Sequence, residues 1–128
     1  MITQKYLTDL TYRINGACIE VHKILGAGLA EIVYQKALEE EFKLRDLEYK
    51  TQLHIPVYYK NKILDCDFKC DILIEDSIVV EIKSVSKMIE LHKFQLLNYM
   101  NLLKVPKGIL INFNVKNLYS QGQETFIN

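Results

Sequence analysis

Apolar side chains recur along the chain at two different spacings, which divide it into helical and extended segments. Over residues 4–25 they come at steps of three and four, the spacing that lines one face of an α-helix. Gly26 and Gly28 end this helix, and a second helical pattern covers about residues 29–46. In the second helix we expect these apolar residues to face inward: Ile32, Val33, Leu38 and Phe42.

The pattern then changes to one that is typical of β-strands. Residues 49–59 are rich in aromatic and β-branched side chains, and Pro56 suggests a sheet edge or a bulge. Residues 60–62 predict a turn. Two further strands are predicted at about residues 63–74 and 78–84, joined by the polar turn Glu75-Asp76-Ser77.

Helical spacing returns at residues 88–104 and is followed by the short apolar run 108–113, which is typical of a buried strand. The tail from Leu118 adds one more edge strand. We expect these residues of the third helix to share the inward face: Leu91, Phe94, Leu97, Met100 and Leu103. The order of elements predicts an α/β domain with a central mixed β-sheet flanked by helices, whose last crossover is parallel.

Length and composition favour one globular domain over residues 1–128. The 128 residues are 49% hydrophobic and 25% charged, which excludes a disordered or low-complexity chain. Three cysteines suit a reducing compartment better than a disulfide framework. No signal-like start and no apolar run of membrane-spanning length is visible, so we expect a cytoplasmic protein without a membrane partner.

The formal net charge is zero, which argues against a polycationic nucleic-acid binder. The charge is uneven, however: residues 1–76 hold ten basic and thirteen acidic side chains, and residues 77–128 hold six and three. An anionic partner would therefore meet the second half, although an asymmetry of this size also arises by chance.

The two strands around Asp76 carry the candidate chemistry. If the hairpin is centred on Asp76, Asp71 lies opposite Glu81, and Lys83 shares their face of the sheet because side chains alternate along a strand. Opposed carboxylates are destabilising unless a cation neutralises them, so the pattern predicts a Mg²⁺ or Mn²⁺ site with an ammonium beside it. The alternative is a half-exposed strand with a surface ion pair, and a shift of one residue in register would separate the acids.

Asp71, Glu81 and Lys83 in CDILIEDSIVVEIK resemble the D…E-x-K signature of the PD-(D/E)XK nuclease superfamily. Upstream, residues 28–34 (GLAEIVY) are similar to the G-x-x-E-x-x-Y motif of the GxxExxY protein family, a small branch of that superfamily. Downstream, residues 95–99 (QLLNY) resemble a Q-x-x-x-Y motif of related nucleases. The likeness extends from about residue 6 to residue 115 and implies a restriction-endonuclease-like core.

The resemblance also implies roles at the matching positions. Asp71 and Glu81 would be metal ligands, Lys83 the catalytic lysine, and Glu31 a further carboxylate at the metal site. On the residues alone, the favoured interpretation of Glu31 is a solvated acid that is stabilised by the dipole at the start of its helix. The backbone carbonyl oxygen of Ile82 and water molecules would complete the octahedral coordination of the metal.

One stripe of the third helix offers contacts to a substrate. Gln95 and Tyr99 lie four residues apart, so that Gln95 could bind a catalytic water or phosphate and Tyr99 a phosphate, unless Tyr99 is simply a core residue. Lys87 and Lys93 are candidate phosphate contacts, although exposed helix lysines are usually solvated. His92 shares the stripe, and we expect it to be a surface residue.

The residues and the resemblance together predict a Mg²⁺- or Mn²⁺-dependent nuclease with weak sequence preference and a possible homodimer. The resemblance implies DNA as the substrate in preference to RNA. The alternative is a nucleic-acid- or partner-binding module that keeps the nuclease fold without turnover. The hydrolysis of a small phosphoester is a third, less favoured interpretation.

Overall fold

A computed structural model describes residues 2–127 of the protein. Three helices are found in this range: α1 (Gln4–Leu25), α2 (Glu31–Leu44) and α3 (Glu90–Leu103). The strands are β1 (Tyr49–His54), β2 (Tyr58–Tyr59), β3 (Lys62–Ile63), β4 (Lys69–Ile74), β5 (Ile78–Lys83), β6 (Lys107–Asn112) and β7 (Gln123–Ile127). A single π-helical turn, Leu118–Gly122, precedes β7.

Five of the strands form one mixed sheet in the order β1-β4-β5-β6-β7, while β2 and β3 form a separate hairpin. Neighbouring strands are antiparallel except β5 and β6, which are parallel and are joined through α3. The predicted α/β fold, with a mixed sheet flanked by helices, is therefore confirmed. None of the helices in residues 2–127 is long and apolar enough to cross a membrane.

The two faces of the sheet are covered by different helices. On one face, β5 contributes Val80 and Ile82 to a core cluster with residues of α1 and α2. On the other face, Val79 packs in a second cluster with residues of α3. Five of the six residues of β5 are buried, because the strand lies at the centre of the sheet and is covered on both sides.

The first helix forms over the predicted residues. The Thr3 side chain accepts a hydrogen bond from the Tyr6 N–H and caps the N-terminus, and Gly26 ends the helix with a φ of 73°. Its inward face consists of Leu7, Leu10, Ile14, Ala17, Cys18 and Val21, all of which are buried.

The inward residues of α2 and α3 were predicted incorrectly in part. In α2, Ile32 and Val33 are 56% and 41% exposed, whereas Leu38 and Phe42 are buried as expected. In α3, Leu91 and Phe94 are each 55% exposed. Leu97 is also exposed, and the buried residues of this helix are Leu96, Tyr99 and Met100.

Close packing of α3 against β6 explains the face that it buries. A Cβ atom at Gly108 would lie only 2.6 Å from the Met100 Sδ and 2.9 Å from the Leu96 Cδ1. Because Gly108 has no side chain, Leu96 and Met100 can pack directly against β6. Because α3 carries leucines on more than one side, spacing alone does not identify this stripe.

Only part of each strand predicted at residues 49–59 and 63–74 belongs to the five-stranded sheet. Only Tyr49–His54 and Lys69–Ile74 belong to it, and residues 55–68 leave it as a projection that contains β2 and β3. The turn between those two strands was predicted correctly. The expected edge strand in the tail is β7, which pairs with β6.

Candidate functional site

The hairpin of β4 and β5 has the register that its sequence predicts. Leu73 pairs with Val79 and Ile72 with Val80, so the same register sets Asp71 opposite Glu81. The turn is tight: Glu75 and Asp76 have φ angles of 48° and 54°, and the Ser77 N–H donates to the Ile74 carbonyl at 2.9 Å.

Asp71 and Glu81 join the two strands through their side chains at the point where the backbone pairing ends. The Asp71 N–H donates to the Glu81 Oε1 at 2.9 Å, and the Ile82 N–H donates to the Asp71 Oδ2 at 2.9 Å. Each carboxylate thus accepts a hydrogen bond from the backbone of the opposite strand. Two backbone N–H groups hold the acids in place before any ligand arrives.

The alternation of side chains along β4 breaks at Asp71. In a regular strand, side chains two positions apart lie on the same face. Ile72, however, packs in the cluster with α1 and α2, whereas Cys70 packs in the cluster with α3 on the other face. On β1, the facing residue Gln52 has a φ of 48°, between the pairs Thr51–Ile72 and Leu53–Cys70. At this break in the alternation the Asp71 side chain reaches β5, where its Oδ2 accepts the hydrogen bond from the Ile82 N–H.

Glu81 is a buried acid, with only 3% of its surface exposed. Burial raises the pKa of the Glu81 carboxyl well above its ordinary value, and the neighbouring charge of Asp71 raises it further. The hydrogen bond from the Asp71 N–H and the charge of Lys83 act in the opposite direction. Lys83 is half-buried on the same strand, so the two acids and one ammonium form one electrostatic group.

Tyr99 of α3 belongs to this group as well. It is 8% exposed, and burial raises the pKa of its phenol to about 12, with further contributions from the charges of Glu81 and Asp71. The pKa of the Cys70 thiol is likewise raised to about 12, by burial first and by the same two acids next. Tyr99 therefore keeps its proton and can act as a hydrogen-bond donor beside the acids.

Glu31 lies at the start of α2, next to the residue that follows Lys83. Its Oε2 accepts a hydrogen bond from the Ser84 N–H at 3.3 Å, and the Ser84 hydroxyl donates to the Leu29 carbonyl. Glu31 is exposed, and within residues 2–127 no group of three or more His, Cys, Asp or Glu side chains is arranged to hold a metal. The structure thus brings Glu31 to the end of β5 but not into a ligand cluster with the other two acids.

The segment Gly28–Tyr34 is fastened to the end of β5 from two sides. The buried Tyr34 hydroxyl donates to the Gly26 carbonyl at 2.6 Å and accepts from the Leu29 N–H at 3.1 Å. Its ring stacks on Phe113 with centroids 4.4 Å apart, and the Phe113 N–H donates to the Lys83 carbonyl at 2.9 Å. Tyr34 is a core residue that fixes the loop carrying Glu31.

The structure distributes the other candidate residues along α3 and the loop before it. Gln95 is half-buried one turn before Tyr99, and Lys87 is exposed in the loop. Lys93 forms an ion pair of 3.1 Å with Glu124 of β7, a contact that would compete with a phosphate. The His92 Nδ1 accepts from the Ile89 N–H at 3.2 Å, so that His92 caps the start of α3.

Sequence reasoning missed Asn112, a buried polar residue at the end of β6. Its Oδ1 accepts from the Val85 N–H at 3.1 Å and its Nδ2 donates to the Val85 carbonyl at 2.9 Å. It also accepts from the Asn114 N–H at 3.1 Å. Asn112 fixes the loop that follows Lys83, and the only signal for it in the sequence is an amide directly after the apolar run GILI.

The two central acids fit a divalent cation. Oδ2 of Asp71 and Oε1 of Glu81 accept hydrogen bonds from backbone N–H groups, and the two carboxyl groups are also close enough to hydrogen-bond each other when one of them is protonated. A divalent cation can take the place of that shared proton. Mg²⁺ commonly takes one or two carboxylates and fills its other positions with water and substrate phosphate. A pair of acids without a third protein donor therefore suits Mg²⁺ better than an ion that needs a complete protein cage.

Comparisons with known proteins agree with this geometry. The family described as the PD-(D/E)XK nuclease superfamily matches residues 8–124. No curated protein matches the chain. Among solved structures, the crystal structure of SSO0001 is similar, with 22% sequence identity and a TM-score of 0.58 over 75% of this chain and 48% of that one. That likeness concerns the fold alone, and this chain spans about half of the length of SSO0001.

Proposed function

Since the chain belongs to the PD-(D/E)XK nuclease superfamily, we propose that it is a metal-dependent nuclease that hydrolyses phosphodiester bonds in DNA. The observation that carries this proposal is the pairing of Asp71 with Glu81 across two strands, with Lys83 beside them. A half-exposed surface strand would leave its charges in water, whereas Glu81 is buried and its pKa is strongly raised.

Asp71 and Glu81 are the proposed ligands of Mg²⁺ or Mn²⁺. When bound, the ion would polarise the scissile phosphate and lower the pKa of an attacking water. The two acids are held by backbone N–H groups, so they need not reorganise when the ion and substrate bind.

Lys83 is the proposed catalytic lysine. Its ammonium lies near Glu81, where it can position the attacking water and balance charge that develops on the phosphate. Gln95 is proposed to bind the water or a phosphate oxygen, and Tyr99 to donate a hydrogen bond to a phosphate. Lys87 and Lys93 remain proposed phosphate contacts, Lys93 only after release of Glu124.

Within the superfamily we assign the chain to the GxxExxY branch. The support is the segment Gly28–Tyr34, whose glycine, acid and tyrosine match that motif and whose tyrosine fixes the loop before α2. Glu31 is proposed as a further carboxylate for the metal site, because its helix begins beside Ser84 at the end of β5. A homodimer is part of the proposal, since one small domain covers little DNA.

A cleavage assay tests the proposed function. Purified protein is incubated with linear, circular and branched DNA and with RNA, with Mn²⁺, with Mg²⁺ or with EDTA. We expect metal-dependent cleavage of DNA by the wild type and none by Asp71→Asn, since the amide removes a charged ligand. The matched control is Asp9→Asn, which changes an acid that is 65% exposed on α1 and should cut at the wild-type rate. Equal cleavage by both variants would refute the assignment of Asp71.

The alternative function is a nucleic-acid- or partner-binding module without turnover. Its support is that Glu31 does not join Asp71 and Glu81 in a three-donor group within the described residues. Calorimetric titration with Mn²⁺ separates the two functions. The nuclease requires Mn²⁺ binding that is lost in Asp71→Asn, whereas the binding module requires none.

A further inference from the structure

A β-hairpin projects from the end of the sheet that carries the site. It consists of residues 55–68, which join β1 to β4, and we call it the 55–68 hairpin. Backbone pairing continues into it from the sheet: the Ile55 N–H donates to the Phe68 carbonyl and the Leu64 N–H to the Val57 carbonyl, both at 2.8 Å. The hairpin is therefore an extension of the β1–β4 ribbon.

The base of the 55–68 hairpin is packed against the candidate site. The Phe68 ring lies 4.9 Å from the Tyr99 ring, and Ile55, which is 3% exposed, belongs to the same core cluster as Tyr99. Tyr99 in turn lies close enough to Glu81 and Asp71 for their charges to raise the pKa of its phenol. The Phe68–Tyr99 pair thus lies between the base of the hairpin and the surroundings of the two acids.

The tip of the hairpin combines exposed aromatic rings with positive charge. Tyr58 and Tyr59 are each 61% exposed. Tyr59 pairs with Lys62 across the hairpin, which places their side chains on one face, and the Lys60 Nζ lies 5.5 Å from the centre of the Tyr59 ring. Within residues 2–127, neither lysine forms an ion pair with a carboxylate.

The acidic residues of the hairpin lie away from this tip. Asp67 contacts His54 at 3.1 Å and Lys69 at 3.3 Å, near the base, so its charge is balanced there. Asp65 lies in the segment that returns to β4. The tip itself, residues 58–63, carries two positive charges and no negative one.

We propose that Tyr59, Lys60 and Lys62 bind an unpaired stretch of a nucleic-acid strand and lead it to the site. The inference rests on the proposed nuclease function and adds the class of substrate. Exposed tyrosines stack on any base, but only where the base is free of its own helix, and the ammonium groups can contact the adjoining phosphates.

The length of the hairpin agrees with such a role. From Leu53, beside the site, to Tyr59 the chain advances six residues, which span at most about 20 Å at about 3.3 Å per residue. A strand with stacked bases covers this distance in roughly six steps of about 3.4 Å, and an extended unpaired strand covers it in fewer. One strand could therefore contact the tip and the acids together.

A duplex fits this surface less well than a single strand. Tight duplex binding without base recognition depends on many phosphate contacts, but the tip has two lysines and the whole chain has no net positive charge. Stacking supplies an affinity that does not depend on charge, and a closed duplex offers no free base face to a protruding tyrosine.

The test is fluorescence anisotropy with a short fluorescein-labelled oligothymidine in EDTA, so that binding is measured without metal-dependent cleavage. We expect Tyr59→Ala to weaken binding about 5- to 160-fold, the loss of one stacked base. Tyr59→Phe should retain the wild-type affinity because it keeps the ring. Replacing Lys60 and Lys62 by alanine should reduce the dependence of affinity on salt.

The matched control is Tyr12→Ala, which removes a tyrosine that is 80% exposed on α1 and should bind like the wild type. All of these positions are exposed, and thermal melting verifies that the variants fold. Failure of the wild type to bind the oligothymidine would overturn the inference, as would a preference for duplex or unchanged binding by Tyr59→Ala.

The outcomes separate this inference from the proposed nuclease function. If the wild type cleaves DNA with Mn²⁺ but the hairpin variants bind and cleave as it does, the inference fails and the nuclease stands. If binding depends on the hairpin but no substrate is cleaved under any condition, the inference stands and the nuclease fails.

Discussion

At the scale of the residue, Glu81 is the acid whose surroundings most disfavour a negative charge. It is buried, faces the carboxylate of Asp71, and has one ammonium near it. Taking a charge out of water is costly unless it is paired, so a buried acid pair is stable only when a proton or a cation compensates it. The same arrangement that would bind a cation therefore weakens the metal-free fold.

The variant Glu81→Gln tests this cost in the metal-free protein. The folded-state pKa of Glu81 is raised, so its protonated form stabilises the fold below its unfolded-state pKa. That contribution is lost as the pH rises through the higher folded-state pKa. We expect the neutral amide, which can still accept the hydrogen bond from the Asp71 N–H, to make the fold more stable than the wild type at neutral pH.

Urea unfolding in EDTA at a series of pH values measures this difference. The gap between Glu81→Gln and the wild type should widen as the pH rises and close in acid. Glu40→Gln, at an acid that is 73% exposed on α2, is the control and should follow the wild type. A wild type that is the more stable protein at neutral pH would contradict the assigned environment of Glu81.

At the scale of the element, the loop after β5 is held by one side chain of β6. The Asn112 amide hydrogen-bonds both backbone groups of Val85, two residues beyond Lys83. Parallel neighbours such as β5 and β6 end on the same side of the sheet, so a polar residue at the end of one can bind the loop that leaves the other. We infer that Asn112 positions Lys83 through this loop without touching the substrate.

The variant Asn112→Ala should lower the free energy of unfolding by about 1–3 kcal/mol, because it leaves the partly buried backbone groups of Val85 without their partner. It should also reduce kcat more than it reduces Mn²⁺ affinity, because Asp71 and Glu81 are held by backbone N–H groups of β4 and β5 and not by Asn112. Denaturant unfolding, calorimetry and cleavage kinetics measure the three quantities. The control is Asn101→Ala on the exposed side of α3. A loss of stability together with an unchanged kcat would show that Asn112 is structural only.

The elements differ in how far the sequence specifies them. The helix α1 has one apolar stripe and two glycines after its last residue, so its bounds were predicted from spacing alone. In α3, apolar residues lie on all sides of the helix. Leu96 is buried rather than Phe94 because Gly108 of β6 leaves room for it. The 55–68 hairpin was predicted only as a turn between strands, because Pro56 indicates an edge or a bulge but not that β1 leaves the sheet there.

At the scale of the whole molecule, the fold gathers the candidate site from segments of different sequence separation. Asp71, Glu81 and Lys83 lie on one hairpin, and a local pattern predicts their register. Glu31 reaches the same end of the sheet only through the packing of α2, which no local spacing determines. For this reason its relation to the acids could not be predicted from the residues alone, and its role as a ligand stays a prediction.

The rate of DNA cleavage by Lys83→Ala tests most directly whether this hairpin is catalytic. The account predicts a rate at least about 100-fold below that of the wild type with Mn²⁺, the loss expected for a positioned proton-transfer group. Lys116→Ala, which removes an exposed lysine after β6, should cut at the wild-type rate, and both variants should melt as the wild type does. An unchanged cleavage rate in purified, folded Lys83→Ala would contradict the account.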